Sequence, residues 1–462
     1  MSEPIEIVLR GNAQADETLS YKHLPFEVPT GIGRIDVAYD YSAAISSDPT
    51  VSGGNTVDIG IFDVRGVEWM SPGFRGWSGS ARRSFSIGLR EATPGYMPGS
   101  IQAGTWYICL GFYKVAEAGC DYTVTIKLIP AEDGDAGFPD LLPLREETRR
   151  PAKPDGWYRG ELHCHTYHSD GDSDPQALVD RALALGLDFL AVTDHNVRSQ
   201  QAALNRIDPP LTLIPGYEVT TYKGHWNIWG GEGWIDFRIL TPDKLASAME
   251  AARAGGYLVS CNHPRPYGPP WEFTQVDLYD CIEVWNGPWR LFNDQAIHFW
   301  EQKLAQGKRC VAVGGSDAHF LRSEHVAQIG TPTMWIHCDG APSAANLLRE
   351  LRKGHAFISD APDGAQLYLS CGDAIAGDSV PRPVDGMASV SVRAVNAQGT
   401  LLELHGSGGL LAQRRPIEAD EQTLRVPIPA DETAYVRAQL VDADDPCLVR
   451  ALTNPIYFDE RH

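Results

Sequence analysis

Basic residues are scarce in this chain. Lys and Arg number 39 against 60 Asp and Glu, leaving a formal net charge of −21 over 462 residues. A protein that grips nucleic acid displaces counterions with clustered Lys and Arg. No such run is present, so the expectation is no nucleic-acid partner and a solvated acidic surface. Long apolar runs are missing too. Nothing approaches the roughly 18 residues that span a bilayer, so no membrane partner is expected. The opening MSEPIEIVLRGNAQADETLS has no basic stretch leading into an apolar one, and a cytoplasmic protein is expected. The nine cysteines are odd in number and form no CxxC pair, which argues against a disulfide framework or a cysteine zinc site. Most follow apolar residues and read as small buried hydrophobes. No GxSxG is present, so a serine nucleophile is not expected.

A chain of 462 residues exceeds one compact core, and two or three domains are expected. Residues 1–135 carry short alternating runs such as GRIDVAYDY, TVDIGIFDV and DYTVTIKLI between Gly, Pro, Asp and Ser clusters. They predict a β-sandwich. Residues 136–156, rich in Pro, Gly and charge, read as a linker. Residues 363–462, with ASVSVRAVN, TLRVPIP and AYVRAQLVD, predict a second sandwich. Neither end holds a cluster of catalytic residue types, so accessory roles are expected for both.

Residues 157–362 differ. Helical spacing appears at Leu178, Ala182 and Leu185 after SDP, and at Leu245, Met249 and Ala252 after TPD. It recurs at Ile297, Trp300 and Leu304 after ND, and at Leu347, Leu348 and Leu351 after APS. Strand-like runs alternate with these: GELHCH, DFLAVTDH, LTLIPGYE, HWNIWG, YLVSCNHP, CIEVWN and CVAVGGSDAH. Repeated strand–helix units of this length predict an α/β fold with a parallel sheet, closed into a barrel.

Each of these runs carries its polar residues at its C-terminal end, where strands of a β/α barrel converge on one mouth. His163 and His165 lie at i and i+2, so both imidazoles face one side and Cys164 the other. Asp317 and His319 repeat that spacing. Asp170, His195, Glu218, His225 and His263 fall at the other ends. Asp194, adjacent to His195, points elsewhere and suits a supporting role. Six of 14 histidines sit in this pattern with carboxylates beside them, a donor set suited to divalent metal. The remaining histidines keep ordinary structural roles, with His325 undecided.

The order ELHCHTYHSDG, TDHN, NHP and GSDAH resembles the polymerase-and-histidinol-phosphatase (PHP) family of metallo-phosphoesterases. The resemblance covers roughly residues 157–360. It implies a distorted seven-stranded β/α barrel and two to three divalent ions, Zn, Mn or Fe. The flanking β-regions and the closing LTNPIYF resemble the carbaryl-hydrolase-like branch. By position, the resemblance implies that His163, His165 and Asp317 hold one metal, with Glu218 bridging to a second completed by His225 and His263. Asp170, His195 and His319 would hold the third. Glu218, Asp317 and His263 would also serve catalysis.

Six neutral imidazoles and three carboxylates would leave three divalent ions in net positive surroundings. That favours an anionic small molecule, above all a phosphate mono- or diester, attacked by metal-activated water. Arg265 and Arg198, close in sequence to His263 and His195, are candidate phosphate clamps, with Arg322 and Lys223 further options. Trp226, Trp229, Trp234, Trp271, Trp285 and Trp289 suggest an apolar wall for a leaving group. Two other readings stand beside this one: a carbamate, ester or amide hydrolase on the same metals, and a non-catalytic scaffold. Oligomeric state is not encoded in these patterns.

Overall fold

The computed structural model describes residues 3–131, 150–322 and 327–459. Most of the expected linker, and His325, lie outside the described residues. Among the described residues no helix is long and apolar enough to cross a membrane.

The N-terminal strands form two four-stranded sheets. One runs Ile5–Ala13, Cys120–Pro130, Ile32–Tyr41, Ser84–Gly88, and the other Ser20–Val28, Gly104–Lys114, Thr56–Phe62, Phe74–Gly79. Ile32–Tyr41 alternates between buried and accessible positions, as a strand covered on one face must. Its inward Ile35, Val37 and Tyr39 meet Trp106, Ile108 and Leu110 in a core between the sheets. Thr56–Phe62 is instead buried at every position. Its second face packs on the central unit, where Phe62, Phe74, Trp77 and Cys109 join the central core. Phe74 stacks on Trp234 with centroids 4.3 Å apart, and Trp77 leans on Phe237 at 4.6 Å.

A buried ion pair pins this contact. Arg238 binds Asp236 through Nε–Oδ1 at 2.9 Å and donates through Nη1 to His23 Nε2 at 2.6 Å. Burial, and then the neighbouring Arg238 charge, push the His23 pKa down to about 4. The ring therefore stays neutral and can accept.

The central strands fall in two sheets. Trp157–Glu161, Phe189–Ala191 and Thr212–Ile214 pair in parallel, and Thr333–His337 and Ala356–Ser359 extend that sheet antiparallel. The second sheet runs Gly216–Thr221, Gly224–Gly230, Tyr257–Cys261, Cys281–Asn286, Val311–Gly315. Its first three strands are antiparallel and its last three parallel. The expected all-parallel sheet is corrected here. Only Tyr222 and Lys223 separate the first two strands, whereas a parallel crossover needs a dozen residues or more. LTLIPGYE is likewise two strands in different sheets, parted at Pro215, which has no N–H for a ladder. Isolated bridges Cys164–Ala318 and His195–Glu218 join the two sheets at their ends.

The four expected helices form at Pro175–Ala184, Pro242–Ala254, Asn293–Ala305 and Ala344–Lys353. Asp174 caps the first by accepting the Ala177 N–H at 2.8 Å. Ser343 does the same for the fourth with Asn346. Such caps satisfy amides that the helix itself cannot.

In the C-terminal region, Gln366–Cys371, Met387–Val395 and Glu421–Pro429 form one sheet, facing Thr400–Gly406, Tyr435–Asp442 and Val449–Thr453. The second of these layers is not separate from the centre. Val449–Thr453 pairs antiparallel with Ala356–Ser359, so one sheet runs unbroken across residues 362 and 363. Asn454 adds bonds to Ala312 and Ala356.

A chain ending at residue 362 would expose that inner strand edge and its apolar faces, a template for aggregation. Such a truncation is expected to be insoluble or to lose cooperative melting in near-UV circular dichroism. A soluble, cooperatively folding product would contradict the shared-sheet account.

Candidate metal centre

Glu161 closes the first central strand. Its Oε1 accepts the N–H groups of Leu162, His163 and Ser316 at 2.9–3.0 Å, and its Oε2 accepts that of Gly330 at 2.8 Å. One buried carboxylate thus replaces ladder bonds between two strand ends. Burial still pushes its pKa up, with those amides pulling it back. Just beyond, the Asp317 N–H donates to His163 O at 2.8 Å and the His165 N–H to Ala318 O at 2.9 Å. The HxH and DxH segments are therefore zipped edge to edge. Cys164 turns into an apolar cluster with Leu178, Val179 and Leu190, as alternation requires, and its Sγ–H donates to Ala191 O.

Close approach also governs Gly315. A Cβ there would lie 2.3 Å from His163 Cβ and 2.8 Å from Glu283 Oε1. Asp317, His263 and Asn196 hold φ of +53°, +30° and +61°, a left-handed region that non-glycine residues seldom adopt.

Glu218, fully buried, is the hub. Imidazole nitrogens of His195, His163, His225, His263 and His165 surround its carboxylate at 2.8, 3.4, 3.4, 3.5 and 3.6 Å. Asp317 Oδ1 lies 3.0 Å from His165 and 3.4 Å from His163. Asp170 Oδ1 lies 3.3 Å from His319 and 3.5 Å from His195. Ligand atoms converge within 4.8 Å in three groups: His165, Asp170, His195 and His319; His163, His165 and Glu218; and His195, Glu218 and His225. All nine sequence-derived ligand candidates thus lie in one contiguous cluster. The implied partition of three ligand sets is less clean, because His165 and His195 each belong to two groups.

Several atoms of this cluster are buried without a well-aligned hydrogen bond: His163 Nε2, both His165 nitrogens and Glu218 Oε2. The close approaches of His165 Nε2 to Asp317 and of Glu218 Oε2 to His195 are poorly directed. Orphaned polar atoms of this kind cost about 1–3 kcal/mol each, and divalent cations fit the gap they leave. The electrostatics agree. Burial opposes charge on Glu218 and Asp317, yet the surrounding imidazoles hold both carboxyls well below the ordinary range. Burial likewise disfavours charged His319, but Asp170 and then Asp317 raise it to about 10. For His165 burial prevails, joined by His319 and His195, and its pKa falls to about 4.

Supporting residues escaped the sequence reading. Glu283 Oε1 takes the His163 Nδ1 proton position at 2.8 Å, while its Oε2 accepts from His263 N and Asn286 Nδ2. Asn262 Nδ2 donates to Glu218 Oε1 at 2.8 Å. The available signal for Glu283 was a lone acid inside the apolar run CIEVWN. Asp194, by contrast, was expected in a supporting role; it accepts from Thr166 N, Thr166 Oγ1, Ser169 N and Ser169 Oγ, so it shapes the 166–170 loop.

Two cavities flank the cluster and share His195, His225 and Pro269. One, of about 540 Å³, holds His263, Arg265, Tyr267, Asp317, His319 and Phe320. Arg265 is buried there, its Nη1 donating to Leu291 O and Asn293 Oδ1 and its Nη2 to Asn286. The other, of about 650 Å³, is lined in part by the N-terminal sandwich, through Tyr41, Asp58, Trp77, Arg83 and Tyr113. Arg198 is not at the mouth. It begins a short helix and lines a separate cavity with Gln201, Trp229 and Arg352. The reason is local: three residues after His195 the chain has already turned away. The tryptophan wall is corrected as well, because Trp226, Trp229 and Trp285 are core residues. The aromatic residues at the mouth are Tyr41, Trp77, Tyr113, Tyr222, Tyr267 and Phe320.

Residues 161–253 match the family described as PHP domain. This chain carries a PHP domain. The matched span contains the HxH segment, Asp170, His195, Glu218 and His225. The 5'-3' exoribonuclease Rnm of Salmonella typhimurium is 30% identical over 160 residues, covering 32% of this chain and 49% of that protein. Its Escherichia coli namesake is 42% identical over 65 residues, 13% of this chain and 22% of that protein. The chain therefore spans about half or less of the curated relatives it matches. A two-domain protein from Bacteroides vulgatus, described as containing a predicted PHP-like metal-dependent phosphoesterase, aligns at 17% identity and a TM-score of 0.38. That alignment covers 68% of this chain and all of the other. The exoribonucleases act on RNA, so the expectation that excluded nucleic acid is overturned. Its premise was net charge, which sums the whole surface, whereas binding at a PHP centre answers to the local field.

Glu283→Gln is expected to weaken metal binding roughly 10–100-fold, the usual effect of removing a carboxylate behind a ligating imidazole. Competition with a fluorescent chelator checks this. Because His319 holds a proton up to about pH 10 without metal, metal must displace it. Affinity should rise with pH through the neutral range, with proton release measurable on loading; pH-independent binding would contradict this arrangement.

Proposed function

We propose that the protein is a metal-dependent phosphoesterase with two to three divalent ions at the Glu218 hub. The observation that carries this reading is one fully buried carboxylate ringed by five imidazoles within 3.6 Å. His163, His165, Glu218 and Asp317 would hold one ion, His225 and His263 with Glu218 a second, and Asp170, His195 and His319 a third. Bound ions would supply an activated water and neutralise charge on phosphoryl oxygens. The chain's own residues set the stage. Glu283 and Asn262 orient His163 and Glu218, and the zipped 163–165 and 317–319 segments fix ligand spacing. Arg265, held on the side facing His263 and Asp317, positions an anionic substrate oxygen.

Two further elements belong to the reading. The strands starting at Trp157, Phe189, Gly216, Gly224, Tyr257, Cys281 and Val311 form a distorted seven-membered ring, supported by the bridges His195–Glu218 and Cys164–Ala318. The chain divides into a sandwich, this PHP unit and a second sandwich, a division supported by an apolar core between the sheets of each terminal region, although the central core also takes in residues of both. Phosphate esters as substrates, RNA 5' ends among them, accord with the exoribonucleases it resembles in part.

The test is a panel assayed with Mn or Zn: a phosphomonoester, bis(p-nitrophenyl) phosphate, a 5'-phosphorylated RNA oligonucleotide and an aryl carbamate. Phosphate-ester turnover that is abolished by chelator and falls at least 100-fold in Glu218→Gln is expected. Carbamate turnover exceeding every phosphate ester would overturn the reading.

A further inference from the structure

The larger cavity borders the proposed ligands Asp170, His195 and His225, yet most of its lining lies outside the ligand cluster. Its far wall comes from the N-terminal sandwich, through Tyr41, Trp77, Arg83 and Tyr113, and Tyr222 of the central unit closes one side. We propose that this wall is a stacking subsite for a nucleobase carried by the phosphate ester, so that the sandwich selects the substrate. This rests on the phosphoesterase reading above.

Four observations support it. The cavity opens directly on Asp170, His195 and His225, so a ring bound there remains within tether length of a phosphoryl group at the hub. With the smaller cavity on the other side sharing His195 and His225, an ester at the junction has room for substituents in both directions.

The chemistry of the lining favours a neutral ring over a second phosphate. Asp48, Asp58 and Asp170 line it against a single guanidinium, that of Arg83. Arg83 sits over Tyr41, its Cζ 3.9 Å from the ring centroid. Guanidinium planes and aromatic rings are surfaces on which bases stack, whatever their sequence. Here Arg83 is exposed and Tyr113 half-buried, while Tyr41 lies buried beneath the guanidinium. Asp58 accepts from Tyr222 Oη at 2.8 Å, placing an acceptor at the cavity floor for an exocyclic amine.

The wall is held at a set distance from the metal ligands. Arg82, next to Arg83, donates to Ser169 O at 2.9 Å and to Tyr167 O, in the loop that carries Asp170. The Gly95 N–H donates to Ser199 Oγ at 3.0 Å, and the same oxygen meets His168 Nδ1. Tyr222 stacks on Tyr21 of the sandwich with centroids 5.1 Å apart and planes 6° from parallel. The volume, about 650 Å³, lies within the roughly 300–1,000 Å³ of small-molecule sites.

The experiment compares binding of an adenosine 5'-phosphonate, whose C–P bond resists hydrolysis, with methylphosphonate by calorimetry on the metal-loaded full chain. The nucleoside compound is expected to bind at least 10-fold more tightly. Arg83→Ala combined with Tyr113→Leu should cut that margin at least fivefold and leave methylphosphonate affinity within twofold. Arg83 is exposed and Tyr113 half-buried, and Arg83→Ala alone, expected to lose at least twofold of the margin, serves if the pair melts early. No margin in the wild type, or a margin unchanged in the variants, overturns the subsite. Turnover of no phosphate ester by a protein that still shows the margin would instead overturn the phosphoesterase reading and spare the subsite.

Discussion

A carboxylate cut off from water is stable only beside positive charge or strong donors. Glu218 is completely buried and has one amide donor, from Asn262. Its other close partners are imidazoles. Burial opposes its charge, and the imidazoles, His163 and His195 first, hold the carboxyl well below the ordinary range. Much of the central architecture follows from bringing five histidines from four chain segments to that one group. The left-handed backbone at His263 and Asp317 and the missing side chain at Gly315 are local concessions to this convergence. Glu161, which gathers four amides from two strand ends and the turn at Gly330, keeps the geometry from relaxing.

The terminal regions contribute in different ways. The C-terminal layer extends the same sheet that begins with the HxH strand, through Ala356–Ser359 and Val449–Thr453, and stiffens the frame from behind. The N-terminal sandwich acts at the mouth. Its aromatic contact with Trp234 and Phe237 and the buried Asp236–Arg238 pair fasten it. Its turns then shape one of the two approaches to the ligands.

How much of this was readable beforehand depended on the distance over which each feature is decided. The i, i+2 spacing of His163 and His165, and of Asp317 and His319, is a local property of extended chain, so the ligand cluster was legible. So were the helices opened by SDP and APS, because a cap involves residues three apart. Glu283 was missed since its partner His163 is 120 residues away, and nothing in CIEVWN announces it. The split of LTLIPGYE and the antiparallel hairpin after it depend on which strands become neighbours, which periodicity does not encode. Arg198 was misplaced because closeness in sequence to His195 says nothing about direction after a turn. Net charge misled for a related reason: it averages over a surface whose regions act separately.

The cysteine between the two first histidines has a chemical consequence of its own. Cys164 faces away from the hub into an apolar cluster, and burial raises its thiol well above the usual range. A thiolate at that spot would have softened the donor set and drawn copper or other thiophilic ions. It would also have offered oxidants a nucleophile beside the metals. Turning the sulfur inward leaves only nitrogen and oxygen donors facing the hub.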